Sequence, residues 1–305
     1  DVYASGSQGA EYLAWAAANL NNDFLKKLEY LHILSKRVFA GQFRAERITK
    51  KRGSGLEFAD HKPYTAGDDF RHIDWRAYQR LDRLLLRMFE EEQDMPVYLF
   101  IDTSRSMAEG GKLDYACHVA AALCYIGLAH LDRVAIFTWK DKLDAETPTR
   151  RGKGQIFRIF DFLQALEPDG KTDLAEAMRK FSARRKQRGV AVVISDFLDP
   201  SGHEAGLNAL RYFQHDVFLV HVTSRNDAEP SLAGDIRMVD AETGEARDVE
   251  LTPTLIHAYT RAWQAHVDAL AAYATKYDIG YVRTPIEVPF EDTVMQVFRQ
   301  GRFLA

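Results

Sequence analysis

The chain has 305 residues and a mass of 34.7 kDa, enough for one large domain or two modest ones and far too much for a mini-protein. Forty Lys and Arg against 44 Asp and Glu leave a formal charge of −4 and a pI near 6.2, so the whole-chain charge exerts no pull toward nucleic acid or anionic membranes. With 46 % hydrophobic and 28 % charged residues, 19 Gly and 9 Pro, a disordered or fibrous chain is excluded.

The first residues, through about Gly9, read as a tag or tail with no signal peptide. From Ala10 to Gln42 the pattern is helical, with Leu25, Leu28 and Leu31 recurring at helical spacing before Gly41. Arg47 to Asp94 interleaves charges with Phe58, Tyr64, Phe70, Trp75 and Tyr78 and carries turn signals at Gly53, Gly55, Pro63 and Gly67. Extended structure is expected to dominate there, with Leu84 to Phe89 as a strand. Glu90, Glu91 and Glu92 read as a solvated tip protecting a sheet edge.

After Pro96 short apolar runs alternate with amphipathic helices. Strands are predicted at Val97 to Ile101, Arg133 to Trp139, Val190 to Ile194, Val217 to Val222 and Gly280 to Arg283. Helices are predicted at Leu113 to Leu131, Ile156 to Leu166, Leu174 to Arg185, His203 to Gln214, Thr254 to Lys276 and Phe290 to Gln300. The stretch before Arg150 has room for a short edge strand, and Ile236 to Leu251 reads as a β-hairpin around Glu242-Thr243-Gly244. Such alternation predicts an α/β fold with a mainly parallel sheet and helices on both faces. The expected division is an N-terminal helical and extended segment, 1–94, and an α/β domain, 95–305.

The longest apolar run, Val119 to Ala129, has about eleven residues against the ~20 a membrane span needs. Cys117 and Cys124 lie two helical turns apart, too far for a disulfide, and no Cys-x-x-Cys is present. A cytoplasmic protein with no transmembrane segment is expected.

The chemistry concentrates where Val97-Tyr-Leu-Phe-Ile-Asp102-Thr-Ser104-Arg-Ser106 ends a strand. A carboxylate and two hydroxyls then stand at the carboxyl edge of a parallel sheet, where open α/β folds bind ligands. Gly170-Lys-Thr172-Asp173 opens a helix and adds a third hydroxyl, with Asp173 as its cap, and Val192-Val-Ile-Ser195-Asp196 ends a second buried strand in a carboxylate. Oxygen-only donors suit a hard cation such as magnesium.

These residues, Asp102-x-Ser104-x-Ser106, Thr172 and Asp196, resemble the metal-ion-dependent adhesion site (MIDAS) of von Willebrand factor A domains, over roughly residues 95–305. The resemblance implies a Rossmann-type fold and a site for Mg2+, or Mn2+ or Ca2+, whose ion is touched by the serines and threonine directly or through water, and by the aspartates often through water. Gly53-Ser-Gly55-Leu-Glu57-Phe58, Pro63-Tyr64-x-x-Gly67-Asp68-Asp69-x-Arg71-x-Ile73-Asp74-Trp75 and Phe89-Glu90-Glu91-Glu92 resemble the signature of the domain-of-unknown-function 58 (DUF58) family, which commonly has Arg where Lys62 stands. That kinship implies a MoxR-type AAA+ ATPase as partner. The expectation is a non-catalytic interaction module that binds a partner's Asp or Glu through the ion.

Other readings carry less. A magnesium-dependent phosphohydrolase with Asp102 as nucleophile usually needs a second Asp two residues on, where Ser104 stands. Gly170-Lys171-Thr172 lacks the earlier glycine of a phosphate loop, since Ala165 is there, and helix precedes it. Gly152-x-Gly154 is a plain turn, and the basic residues between Arg184 and Arg188 a solvated helix end. His118, His215 and His221 have no ligand spacing. Asp68, Asp69, Arg71 and Asp74 read as an ion-pair and turn network, with Trp75 and Tyr64 as glue between segments. Arg71 and Trp75 remain candidates for partner contact.

Overall fold

The computed structural model describes residues 22–39, 48–52, 57–65, 68–92, 96–130, 132–185, 187–228, 234–239 and 246–300. The expected turn at 242–244, the glycines at 53, 55 and 67, and the expected helix before residue 22 lie outside them. Helix α1 (Asn22–Phe39) comes first, followed by β1 (Ile48–Arg52), β2 (Glu57–Pro63), the short helix α2 (Trp75–Leu81) and β3 (Leu85–Glu92). Next come β4 (Val97–Asp102), α3 (Lys112–Ala129), β5 (Val134–Trp139), β6 (Leu143–Glu146), α4 (Ile156–Gln164) and α5 (Leu174–Arg184). After β7 (Val190–Ser195), α6 (Glu204–Tyr212) and β8 (Asp216–Thr223), a single turn α7 (Arg225–Ala228) leads to β9 (Gly234–Val239) and β10 (Ala246–Leu251). Helix α8 (Pro253–Lys276), β11 (Gly280–Pro285) and α9 (Phe290–Gln300) complete the order.

The contacts divide the chain into two units, one of them Phe39–Asp94 and the other taking in α1 with Met95–Phe303. One division falls between Asp94 and Met95, and α1 belongs with the residues after it. The reason is burial: Phe24 packs its ring against His118, Phe160 and Phe290, and Leu28 and Leu31 are fully buried.

The larger unit holds a six-stranded sheet in the order β11-β8-β7-β4-β5-β6. Every pair is parallel except β5 with β6. Strands β4, β5 and β7 are buried at every position, which is why they read as continuous apolar runs rather than alternating ones. Side chains still alternate between faces. Tyr98, Phe100, Phe137 and Val193 join Phe181 of α5, Leu207 and Leu210 of α6 and Leu270 of α8 in one core. Leu99, Ile101, Ile136 and Ile194 point the other way by the same alternation, toward the Ala-rich α3, which contacts β4, β5, β7 and β8. The fold is thus α/β with a mainly parallel sheet covered on both faces. The β9–β10 pair is antiparallel, with Val239 opposite Ala246, as the predicted hairpin requires.

The smaller unit is an antiparallel sheet in the order β1-β3-β2. Two expectations are corrected there. Residues 75–81 form a helix instead of extended chain, because Asp74 caps it through the Arg76 and Ala77 amides. Strand β3 is the central strand and not an edge strand: Glu90 pairs with Lys50 of β1 and Glu57 of β2, and Glu91 and Glu92 lie in register with Thr49 and Ile48 of β1.

Candidate metal centre

Strands β4 and β7 are parallel neighbours, with Ile101 opposite Ile194, so Asp102 stands level with Ser195 at the carboxyl edge of the sheet and Asp196 follows one residue beyond. Three loops are stitched together around them. The Arg105 amide donates to the Gly170 carbonyl at 3.1 Å and the Asp169 amide to the Thr103 carbonyl at 2.9 Å. The Leu174 amide donates to Asp199 Oδ2 at 2.7 Å, tying the loop before α5 to the loop after β7. Ser195 closes the ring by donating its hydroxyl to Asp102 Oδ2 at 2.6 Å.

Within that frame Asp102 Oδ1 accepts the Ser104 amide at 2.9 Å, and the hydroxyls of Ser104 and Ser106 are 3.0 Å apart. Ser104 is fully buried, while Ser106 is half-buried and forms the accessible side. Thr172 accepts the Trp139 indole N–H at 3.2 Å, and Asp173 caps α5 through the Glu176 amide at 2.8 Å, as its position in the sequence foretells. The turn after β7 puts Phe197 at φ 54°. A buried aromatic in the left-handed region is strained, and the Ser195 hydroxyl, accepting the Phe197 amide at 2.8 Å, helps hold it.

Residues that the sequence pattern does not single out complete the site. Gly110 and Gly111, both left-handed, break the chain between the serine loop and α3. Lys112 follows them into the interior. Its ammonium, fully buried, lies 2.8 Å from Asp196 Oδ2 and 3.4 Å from Asp227 Oδ1. Asp227 Oδ2 accepts the Ser224 amide at 2.7 Å, and the Tyr259 hydroxyl of α8 donates to the Asp227 carbonyl at 2.9 Å. The spacing Ser224-x-x-Asp227 is a capping signal after a strand, and Lys112 is a cation opening an apolar helix. Both were visible in the sequence, but their meeting with Asp196, 84 and 115 residues apart in the Lys112 pairs, was not.

The electrostatics follow from burial. Asp102 is pushed up to about 7, first by loss of water and then by the charge of Asp196, with the hydrogen bonds from Ser195 and Ser104 working against both. Burial pulls Lys112 down, yet the charges of Asp196 and Asp227 outweigh it and leave its pKa above the ordinary lysine value. Two buried carboxylates, Asp196 and Asp227, therefore share one ammonium, and a third, Asp102, has no ion pair among the described residues. Ionising all three would leave two negative charges in a dry pocket without counterions, a cost that shows as the raised pKa of Asp102. Two carboxylates and three hydroxyls, all hard oxygen donors, are the chemistry a divalent ion such as magnesium accepts, so the residues fit the group. Among the described residues no three His, Cys, Asp or Glu side chains form a metal cluster; the donors at this sheet edge are mostly hydroxyls.

The other candidates fall elsewhere. Arg71 is gripped by Asp69, its Nε and Nη2 donating at 2.8–3.1 Å, and Trp75 is 57 % exposed with its ring edge-on to Tyr78. Asp68 closes a turn onto Thr65, and Asp74 accepts from Arg87 and shares a hydrogen bond with His61. These signature residues build the smaller unit. His215 and His221 are core residues, and Cys117 and Cys124 are buried free thiols. No described helix is long and apolar enough to cross a membrane.

Among solved structures the chain is similar to BatB from Bacteroides thetaiotaomicron, at 15 % identity and TM-score 0.41 over 68 % of this chain and 98 % of that one. An aerotolerance-related membrane protein from Bacteroides fragilis aligns over the same shares at 15 % identity and TM-score 0.43. An uncharacterized protein of Mycobacterium tuberculosis strain H37Rv is 27 % identical over 246 residues, 78 % of this chain and 77 % of that protein. A Mycobacterium avium protein is 35 % identical over 94 residues, 31 % of this chain and 55 % of its own. The family described as protein of unknown function DUF58 matches residues 60–269, a span that includes the signature from Pro63 onward and every oxygen donor at the sheet edge, and the chain belongs to that family.

Proposed function

We propose that the chain is a non-catalytic interaction module that grips a partner protein's carboxylate through a divalent cation, magnesium first and Mn2+ or Ca2+ as substitutes. Asp102, Ser104, Ser106, Thr172 and Asp196 would hold the ion. When bound, it supplies a Lewis-acidic position that an Asp or Glu side chain completes. The observation that carries the reading is the buried imbalance of three carboxylates against one ammonium. A dication balances that count.

The likeness to the adhesion site of von Willebrand factor A domains supports the reading, since the donors occur in the same order on a mainly parallel sheet. Kinship with the DUF58 family points to a MoxR-type AAA+ ATPase as the partner, and the module is assigned to the cytoplasm. Half-buried Ser106 leaves the approach to the site open on its side. The phosphohydrolase alternative has less support, because Asp102 is buried, both its oxygens already accept hydrogen bonds, and residue 104 is Ser.

Calorimetric titration with Mg2+ should show one saturable site in the full chain, lost in Asp102→Ala and at least ~10-fold weaker in Ser106→Ala, since even the groups that merely orient a metal's ligands are worth that much. Pull-down of a MoxR-type ATPase should succeed with Mg2+ and fail with EDTA. Absence of saturable binding, or equal recovery in both buffers, would overturn the proposal.

A further inference from the structure

Lys112 is the sole buried cation beside the proposed donors among the described residues, and it is placed by the fold. The two left-handed glycines before it turn the chain inward, and its ammonium bridges Asp196 to Asp227. A surface lysine adds little to a pair, but here both partners are buried and the ammonium is fully so, which makes its charge felt strongly. Its nearest neighbour, Asp196, is one of the proposed ion-holding residues. Any cation that Asp196 helps to hold is therefore repelled by the Lys112 ammonium, and any incoming carboxylate is attracted by it.

We infer that Lys112 is the positioning residue that weakens the site's hold on its cation and in exchange tunes it to accept an acidic ligand. This inference rests on the metal-clasp reading above and adds to it a reason why the site takes a carboxylate from outside. With Lys112 present and Asp102 ionised by the bound cation, the three carboxylates contribute a net two negative charges, which a dication cancels, so an approaching carboxylate meets no residual negative charge. Without that ammonium, one negative charge would persist after the ion is bound and would oppose the ligand. Asp227 acts through Lys112 in the opposite sense: it shares the ammonium and adds a negative charge, so its removal should lower cation affinity and ease entry of the ligand.

The test uses the whole 305-residue chain and Mn2+, read by its electron-spin-resonance signal, with acetate as the carboxylate probe, read by proton relaxation of water on bound Mn2+. Lys112→Met keeps a long unbranched chain without the charge. It should bind Mn2+ at least ~10-fold more tightly and acetate at least ~10-fold more weakly, given the strength of one charge at short range in a low dielectric. Asp227→Asn, which can still accept the Ser224 amide, should shift both affinities the other way. A lysine with a purely structural role predicts loss of both affinities or none of either. Parallel shifts of metal and acetate binding in both variants, or unchanged affinities in both, would overturn the inference while leaving the clasp standing. If the unaltered protein and Lys112→Met both fail to take up Mn2+, the clasp itself is overturned. Should Lys112→Met fail to fold, Asp227→Asn alone decides by the sign of its two shifts.

Discussion

His215 stands at the start of β8 with its ring edge-on to Tyr98 and tilted against Phe181, and burial lowers its pKa below the usual histidine value of 6.5. The Gly189 carbonyl and Asp216 act in the opposite direction and Arg188 with the burial, without changing the outcome. The folded state thus keeps this ring neutral at pH values where the unfolded chain has protonated it. Stability contributed by the neutral ring is present above pH 6.5 and is lost as pH falls below it, because the unfolded chain then binds the extra proton. Thermal melts between pH 7.5 and 5.5 should show a falling midpoint, and His215→Leu should make the fall shallower. An identical slope in the variant would rule His215 out as a contributor. The sequence left open whether such residues are core or surface and whether they are charge-sensitive, since nothing in the spacing of His215 announces its surroundings. The oxygen donors differ: Asp102, Ser104 and Ser106 are contiguous, and strand ends announce them. Lys112 and Asp227 escaped because their role exists only through contacts across the fold.

At the scale of elements, long apolar runs and helical periodicity were readable because burial on two faces writes a strong pattern. Strands β4, β5 and β7 and helices α3, α5 and α8 fall within a residue or two of where the pattern puts them. Helix α2 was missed because seven residues hold fewer than two turns of periodicity and its capping Asp74 lies among other acids. The place of β3 in the middle of its sheet was also hidden, since pairing order is a property of three segments at once. One close approach has a measurable consequence. A Cβ on Gly206 of α6 would meet the Leu174 side chain at 2.7 Å and its carbonyl oxygen at 2.9 Å. That oxygen belongs to the first residue of α5, whose amide is held by Asp199, so the backbone there has little freedom to retreat. Gly206→Ala should therefore cost about 1–3 kcal/mol and lower the melting temperature by several degrees. A melt unchanged within a degree would show that α5 and α6 slide apart freely.

The whole molecule poses a question of connectivity, because the chain leaves one unit, builds another, and returns. Helix α1 precedes the three-stranded unit in sequence but packs with the six-stranded one. Its apolar stripe of Phe24, Leu28 and Leu31 is 4 % exposed or less, and His32 adds ring contacts to Tyr125 and His130 at 6.2 and 5.3 Å. Burying three such side chains is worth about 5–9 kcal/mol in transfer free energy, a sum on the scale of a whole domain's net stability. Removal of α1 also uncovers its docking surface on His118, Phe160 and Phe290. A fragment cut at the boundary that the composition suggests, residues 95–305, should accordingly bind a hydrophobic dye and melt well below the full chain. Fusing residues 22–39 to that fragment through a flexible linker, with 40–94 omitted, should recover most of the lost stability, because the contacts depend on α1 and not on the intervening sheet. Circular dichroism melts of the three proteins decide it: equal midpoints for the 95–305 fragment and the fusion would mean that α1 is a passenger on the larger unit.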